Sequence, residues 1–458
     1  MSLTTRFGLV AGTTALAIAG TAFGGAESDN DALSQIAELK RELAELKQQD
    51  SQDWLTEQRA SEIRGIVQDV LADADTRTSF QNSGAMAGWN NGFFLASPDG
   101  NFKLNVSGLM QVRWTWNNAK GQTAANGANP GDENLWGFEN GNTYLDFSGN
   151  VVDPSWTYHI RMNASDINTG GAFGISFASV TKDFGNGWGV TVGQFRGPWL
   201  RETLVDDGYQ LGVNRSIMNA FFTQGFDQGM QLNYESDAFR FNAFYGDGVL
   251  SGTQFNGLNI GGSQNTPWNG TNTRFSVAGR GEYKLSGDWS TFDDFTSFRG
   301  EEGGMMVGLA GVYEIGNQNS AFENDAVYGF TADFSWEMGG ANLFAAFAWL
   351  GNNIDNSNNP WGLNVQGGYF VTDDVEIFGR YDYLDYDVQG GGGAGDTSKY
   401  NGITVGANYF WTSNVKATVE WGINLKSFGS NNLQSGFRTD LNGESDQWAL
   451  RAQLQLMF

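Results

Sequence analysis

The chain has 458 residues and a formal net charge of −25, with Gly 64, Phe 34, Trp 16 and Tyr 14 beside Pro 6 and no Cys. Such acidity leaves no basic patch to neutralise phosphates and excludes a nucleic-acid partner, while the lack of thiols excludes a disulfide framework and thiolate metal sites. A mean hydropathy of −0.37, with no apolar run near the ~18 residues a spanning helix needs beyond the N-terminus, excludes a helical membrane protein. Abundant glycine and aromatic residues suit a large barrel whose strands bend and meet membrane interfaces.

Residues 1–26 read as a secretory signal: Arg6 is the positive region, Phe7 to Ala22 the apolar stretch, and Gly24-Gly25-Ala26 the small-residue cleavage site. The alternative is a short buried helix. Residues 27–80 read as a periplasmic helical segment. In 31–49, Ile36, Leu39, Leu43 and Leu46 follow the a/d spacing of a coiled coil, with Glu38, Lys40, Arg41, Glu42, Glu45 and Lys47 on the wet faces. Two or three heptads make a weak seam, so this stretch is either an oligomerisation stalk or a solvated linker helix. A second helical stretch, 54–71, carries Ile63, Ile66, Val67, Val70 and Leu71. Residues 81–100 read as a linker.

From residue 101 onward the period becomes two. Phe102, Leu104, Val106, Met110, Val112, Trp114 and Trp116 share one parity, and Lys103, Asn105, Ser107, Gln111, Arg113 and Thr115 the other. One face is greasy and the other wet, over a length that soluble sandwich strands rarely reach. The same alternation recurs near 141–151, 155–166, 171–183, 188–197, 228–235, 238–246, 273–285, 304–316, 326–337, 340–350, 361–372, 374–385, 399–411, 414–424 and 447–458. The fold class is therefore an all-β transmembrane barrel of 16 antiparallel strands over residues 101–458, preceded by a short α-helical coiled-coil segment. Short turns alternate with long loops, as short periplasmic turns and long external loops do. Two connections break the rule: 286–303 is long where a turn belongs, and 166–171 is short. The last strand ends on Phe458, an outer-membrane assembly signal, and its pairing with the first strand removes an edge that lipid could not satisfy.

The stretch Gly193-Gln194-Phe195-Arg196-Gly197-Pro198-Trp199-Leu200-Arg201-Glu202 resembles the phosphate-selective porin O and P family. So do Val213-Asn214-Arg215-Ser216, Ala220-Phe221-Phe222, the run Gln228 to Tyr234, the Asp99-to-Leu104 opening and the connection Phe295 to Glu302. The resemblance spans roughly residues 86–458. It implies a 16-stranded barrel, a homotrimer, and a third external loop (198–227 here) folded inward to narrow the pore. One departure stands out. Phosphate-specific members lean on lysine and arginine clusters, whereas acids outnumber bases along this barrel.

Parity assigns Lys103, Arg113, Arg161, Arg240, Arg280, Lys284, Arg380, Lys416 and Arg451 to the lumen, with His159, against the acids Asp146, Glu282, Asp333, Glu376, Asp382 and Glu420. Arg196, Arg201 and Arg215 flank the third loop. A basic wall favours anions, so these twelve are candidate pore-lining and selectivity residues. The bland reading is that they pair with carboxylates such as Glu202, Asp206 and Asp207 and hold the loop. His159 has no clustered metal-ligating neighbours, the acidic loops lack an EF-hand spacing, and no G-x-S-x-G, P-loop or H-E-x-x-H occurs. No catalytic residue, cofactor or metal is expected. The expectation is a passive outer-membrane porin for small hydrophilic solutes and ions, anions such as phosphate among them, with lipid and the assembly machinery as partners. The alternatives are a weakly cation-preferring pore, a barrel that tethers the envelope through its N-terminal helix, and an outer-membrane hydrolase.

Overall fold

The computed structural model describes residues 37–41, 84–89, 92–120, 133–164, 174–223, 225–250, 264–270, 273–316, 325–353, 358–385, 399–426, 436–438 and 446–458. The expected signal segment, most of the coiled-coil seam and the helix 54–71 lie outside them; residues 37–41 are helical, with Leu39 exposed. The chain divides into two compact units, Met1–Lys103 and Leu104–Phe458.

In the first unit, β1 (Met86–Trp89) and β2 (Phe93–Ala96) form an antiparallel hairpin in which Trp89 faces Phe93, their rings edge-on at 4.8 Å. The sequence reads as linker here because each strand is too short for a period of two to stand out. Lys103 Nζ sits 5.8 Å from the Phe94 ring centre.

The second unit is the barrel: β3 (Lys103–Asn118), β4 (Asn134–Val151), β5 (Asp153–Asn163), β6 (Gly174–Gly185), β7 (Trp188–Phe195), β8 (Asp227–Glu235), β9 (Phe239–Gly246), β10 (Thr273–Ser286), β11 (Gly304–Gly316), β12 (Ala326–Glu337), β13 (Ala341–Asn352), β14 (Trp361–Phe370), β15 (Val375–Asp385), β16 (Lys399–Thr412), β17 (Val415–Asn424) and β18 (Gln447–Met457). Successive strands are hydrogen-bonded neighbours, and β18 pairs back onto β3, with Leu456 opposite Met110, so 16 antiparallel strands close. Gly108 and Phe458 complete the seam by exchanging backbone bonds of 2.8 and 3.1 Å.

Parity sorts the side chains. Along β11, Val307, Leu309 and Tyr313 are exposed while Met306, Ala310, Val312 and Glu314 are buried. A slip of one residue would exchange the two sets, which is why register is specified so strongly. The outward set forms an apolar band bounded by aromatic girdles, Trp116–Trp448, Tyr328–Trp349 and Trp361–Tyr383 at one rim and Trp188–Tyr234 and Tyr409–Trp411 at the other. Girdles of this kind mark the two interfaces of a bilayer.

Turns at one end are tight. Asn186 and Gly187, both at positive φ (53° and 81°), link β6 to β7 in the two-residue hairpin such angles permit, and a Cβ on Gly187 would lie 1.9 Å from Glu235 O. β4 starts at Asn134 rather than 141, because Gly137 and Gly141 interrupt the alternation without interrupting the strand.

Candidate functional site

The segment between β7 and β8, residues 196–226, turns into the barrel rather than away from it. It carries a helical turn at Arg201–Leu204, a 3-10 turn at Asp207–Tyr209, and a helix at Ile217–Phe222 whose N-cap Ser216 accepts from Asn219 N. Trp199, Leu200, Val205, Leu211, Met218 and Phe222 are nearly inaccessible and pack with lumen-facing wall residues including Phe244, Ala310, Phe344, Ala346 and Phe378. At ~1.5–3 kcal/mol per fully buried large apolar side chain, this packing decides where the loop goes.

Backbone groups of the loop, which have no ladder to join, bond to the wall. Ile217 N donates to Asp382 Oδ2 (2.5 Å) and Val213 N to Glu420 Oε2 (2.9 Å). Lys416 Nζ donates to Gln210 O (2.8 Å), Asn408 Nδ2 to Leu211 O (2.9 Å), Gln455 Nε2 to Gly208 O (2.8 Å), and Arg280 Nη1 to Trp199 O (3.1 Å). From the opposite end, the long connection 287–303 also enters. Phe295 N donates to Tyr209 O (3.1 Å), the Phe295 ring meets Phe344, and Phe298 lies between Phe370 and Phe410. This is why it is long where a turn was expected: it supports the loop from below.

The tightest anchor is electrostatic. Arg161 on β5 binds Asp146 through Nε (2.9 Å) and Nη2 (2.8 Å), binds Asp206 of the loop through Nη1 (2.8 Å), and lies over the Tyr144 ring at 3.7 Å. Arg196 reaches Asp206 and Asp207, both at 3.0 Å, and Arg215 pairs with Asp207 while donating to Glu202 O at 2.9 Å. Burial alone would favour the neutral acid, but the Arg196 and Arg161 guanidiniums outweigh it and hold the Asp206 carboxyl well below the usual carboxylate range. His159 Nε2 lies 2.6 Å from Asp146 Oδ1, its ring stacked on Phe177. Three guanidiniums thus meet three carboxylates.

The other basic positions are distributed around the wall. Arg280 is fully buried between Glu282 and Asp333, both at 2.8 Å. Arg380 bonds Gln366 Oε1 and Asn214 O, each at 2.8 Å, with Glu202 at 3.7 Å. Arg113 donates to Asn214 Oδ1 (2.9 Å) and stands 3.6 Å from Glu139; Arg451 pairs with Glu420; Arg201 donates to Phe292 O. Lys416 is buried as well. Arg240 (Glu235 at 2.7 Å) and Lys284 are only half-buried, both near the Trp289 ring, at 4.2 and 5.1 Å. Lys103 belongs to the first unit. Phe458 sits at the seam, its ring filling the space that a Cβ on Gly108 would need.

Two features were not read from the sequence. Glu314 of β11 accepts from Val249 N (2.5 Å) and Leu250 N (3.1 Å), drawing the start of the β9–β10 connection inward. Burial of the lumen face is also uneven: it is nearly complete along β10 to β18 but partial along β5 to β9. The only signal for the second is the run of Thr, Ser, Asn and Gln at lumen parity there, which gains meaning once register is known. Among the described residues, no group of His, Asp and Glu is placed to hold a metal ion, and no helix is long and apolar enough to cross a membrane.

The phosphate-selective porin O and P family profile matches residues 110–458. Among solved structures, the chain is similar to the anion-selective porin from Comamonas acidovorans (12% identity, 78% of this chain and 99% of that one, TM-score 0.52). It is also similar to Salmonella typhi OmpF in complex with daunomycin (15%, 81% and 100%, 0.50) and to Pseudomonas putida OprB (10%, 84% and 96%, 0.50). At these identities the likeness concerns the fold. A comparison with curated proteins finds no match.

Proposed function

This chain belongs to the phosphate-selective porin O and P family and is an outer-membrane channel for passive diffusion, and from that premise we propose that it is a weakly selective pore for small hydrophilic solutes with a slight preference for anions. The observation that carries this reading is the charge balance at the inward loop. Arg161, Arg196 and Arg215 face Asp146, Asp206 and Asp207, so the constriction holds little net fixed charge. The buried arginines act mainly as posts to which the loop is tied. The slight anion preference rests on Arg240 and Lys284, the lumenal cations that stay half-buried near Trp289.

A second reading, a pore in which the basic residues select an anion such as phosphate, is favoured by the partial exposure of Arg215 and by the family's name. Reversal potentials in a KCl gradient test both. The weakly selective reading expects a small Cl⁻ preference that disappears in Arg240→Gln/Lys284→Gln. A Cl⁻ preference that survives that change but collapses in Arg215→Gln would favour selection at the loop. We further propose a homotrimer in the outer membrane, with the N-terminal helix on the periplasmic side; the resemblance in sequence supports the trimer. A monomer in mild detergent would refute it.

A further inference from the structure

We propose that solutes cross this barrel along one side only, over a neutral ladder of hydroxyl and carboxamide side chains on β5 to β9, and that this ladder favours uncharged, polyhydroxylated molecules (sugars and polyols) as cargo. The inference rests on the reading of the barrel as an open diffusion channel.

Three observations converge. The first is the position of the inward loop. Apart from the Arg161 anchor on β5 and the Arg113 contact on β3, its polar contacts run to β10 (Arg280), β15 (Asp382), β16 (Asn408), β17 (Lys416, Glu420) and β18 (Gln455), and most lumen-facing side chains of those strands are buried. Lumen-facing side chains of β5 to β9 other than Arg161, Phe195, Asp227 and Phe244 keep partial exposure. Water therefore has its room on that side.

The second is the chemistry of the uncovered wall. In register across the strands, Thr157 faces Thr181, Thr181 faces Thr191, Thr191 faces Gln231, and Asn233 faces Asn242. They are hydrogen-bonded to one another: Thr181 and Thr191 hydroxyls are 2.8 Å apart, Asn233 Nδ2 donates to Thr191 Oγ1 (2.9 Å), and Gln231 Nε2 donates to Asn233 Oδ1 (2.5 Å). Hydroxyls and carboxamides both donate and accept, so a sugar hydroxyl can exchange its water partners for wall partners at little net cost. A charged solute gains little from the ladder itself, which carries no charge and whose neighbours Arg161 and Arg196 are already engaged by carboxylates, while the half-buried Arg240 stands beyond it at the β8–β9 turn.

The third is shape. Gly193, Gly229 and Gly246 stand side by side on β7, β8 and β9, and a Cβ on any of them would come within 2.1–2.4 Å of a neighbouring strand's backbone oxygen. The Phe244 ring covers Gly229 and Gly246, so of this row only Gly193, next to Thr191, keeps room above the wall beside the ladder.

The chain has no cysteine, which permits a clean test in planar bilayers. Thr191→Cys and Asn233→Cys should each lose a large share of their KCl conductance on reaction with a bulky methanethiosulfonate, whereas Thr331→Cys, buried on the covered wall, should not change. With maltotriose as probe, Thr191→Val/Asn233→Leu should weaken the sugar's block of ion current several-fold more than it alters the current itself. Heat-modifiable migration on gels verifies that each variant is folded. Reaction at position 331 but not at 191 or 233 would overturn the route. Sugar block unchanged in the double variant, or reduced only in proportion to ion current, would overturn the cargo assignment. A folded wild type with no stepwise conductance would instead overturn the channel reading itself.

Discussion

Replacing both Asp206 and Asp207 by Asn removes two of the three carboxylates that balance Arg161, Arg196 and Arg215, and leaves two net positive charges at the inward loop. The side chains keep their size, and amide oxygens can still accept from the guanidiniums, so the loop retains its apolar packing. A permeating ion ~8 Å from one such charge feels ~0.5 kcal/mol at the dielectric of water and ~2 kcal/mol at the effective value of a protein surface. Two charges then contribute ~1–4 kcal/mol, reduced by screening over ~8 Å at physiological salt. Since ~1.4 kcal/mol is tenfold, the Cl⁻-to-K⁺ permeability ratio should rise about tenfold in 0.1 M KCl and by less at 1 M. Reversal potential in a salt gradient is the assay. Adding Arg196→Gln should reverse half of the change, because it restores one unit of balance. If the double variant keeps wild-type selectivity and wild-type conductance, the balanced cluster does not border the ion path, and the account of the constriction fails.

Trp199→Ala should remove ~3–5 kcal/mol of loop packing and give a larger, noisier conductance while the barrel's heat transition moves little; a quiet, wild-type-sized channel would contradict the packing account. Asp294 lies in the inward connection 287–303, where burial pushes its carboxyl up to about 7. Its folded value exceeds its unfolded one, so its contribution to docking is fully present below about pH 4 and is lost as pH rises through about 7. Current fluctuations should therefore increase between about pH 4 and 7 in wild type but not in Asp294→Asn, and a flat profile in both would refute it. Phe458→Ala should lower outer-membrane yield several-fold, since the Phe458 ring fills the gap over Gly108 at the seam; undiminished yield would separate the residue from assembly.

The amino-acid sequence by itself determined the barrel. A side-chain period of two, sustained strand after strand, can bury one face and present the other to lipid in only one way, so β11 or β18 is legible within a residue or two. The inward third connection was legible as well, through the Gly193-to-Glu202 resemblance. The tertiary structure alone decided what the lumenal charges do. Parity places Arg161 and Asp146 on one face, but only the loop's return places Asp206 2.8 Å from the same guanidinium. That distance depends on apolar packing between Trp199, Phe222 and wall residues far apart in the chain. The hairpin at 86–96 was missed because two four-residue strands carry too little periodic signal. The partially uncovered wall of β5 to β9 was missed for a different reason. Thr191 and Asn233 read as ordinary lumen positions, and their significance comes from which side of the barrel the loop covers, a packing choice that no local pattern encodes.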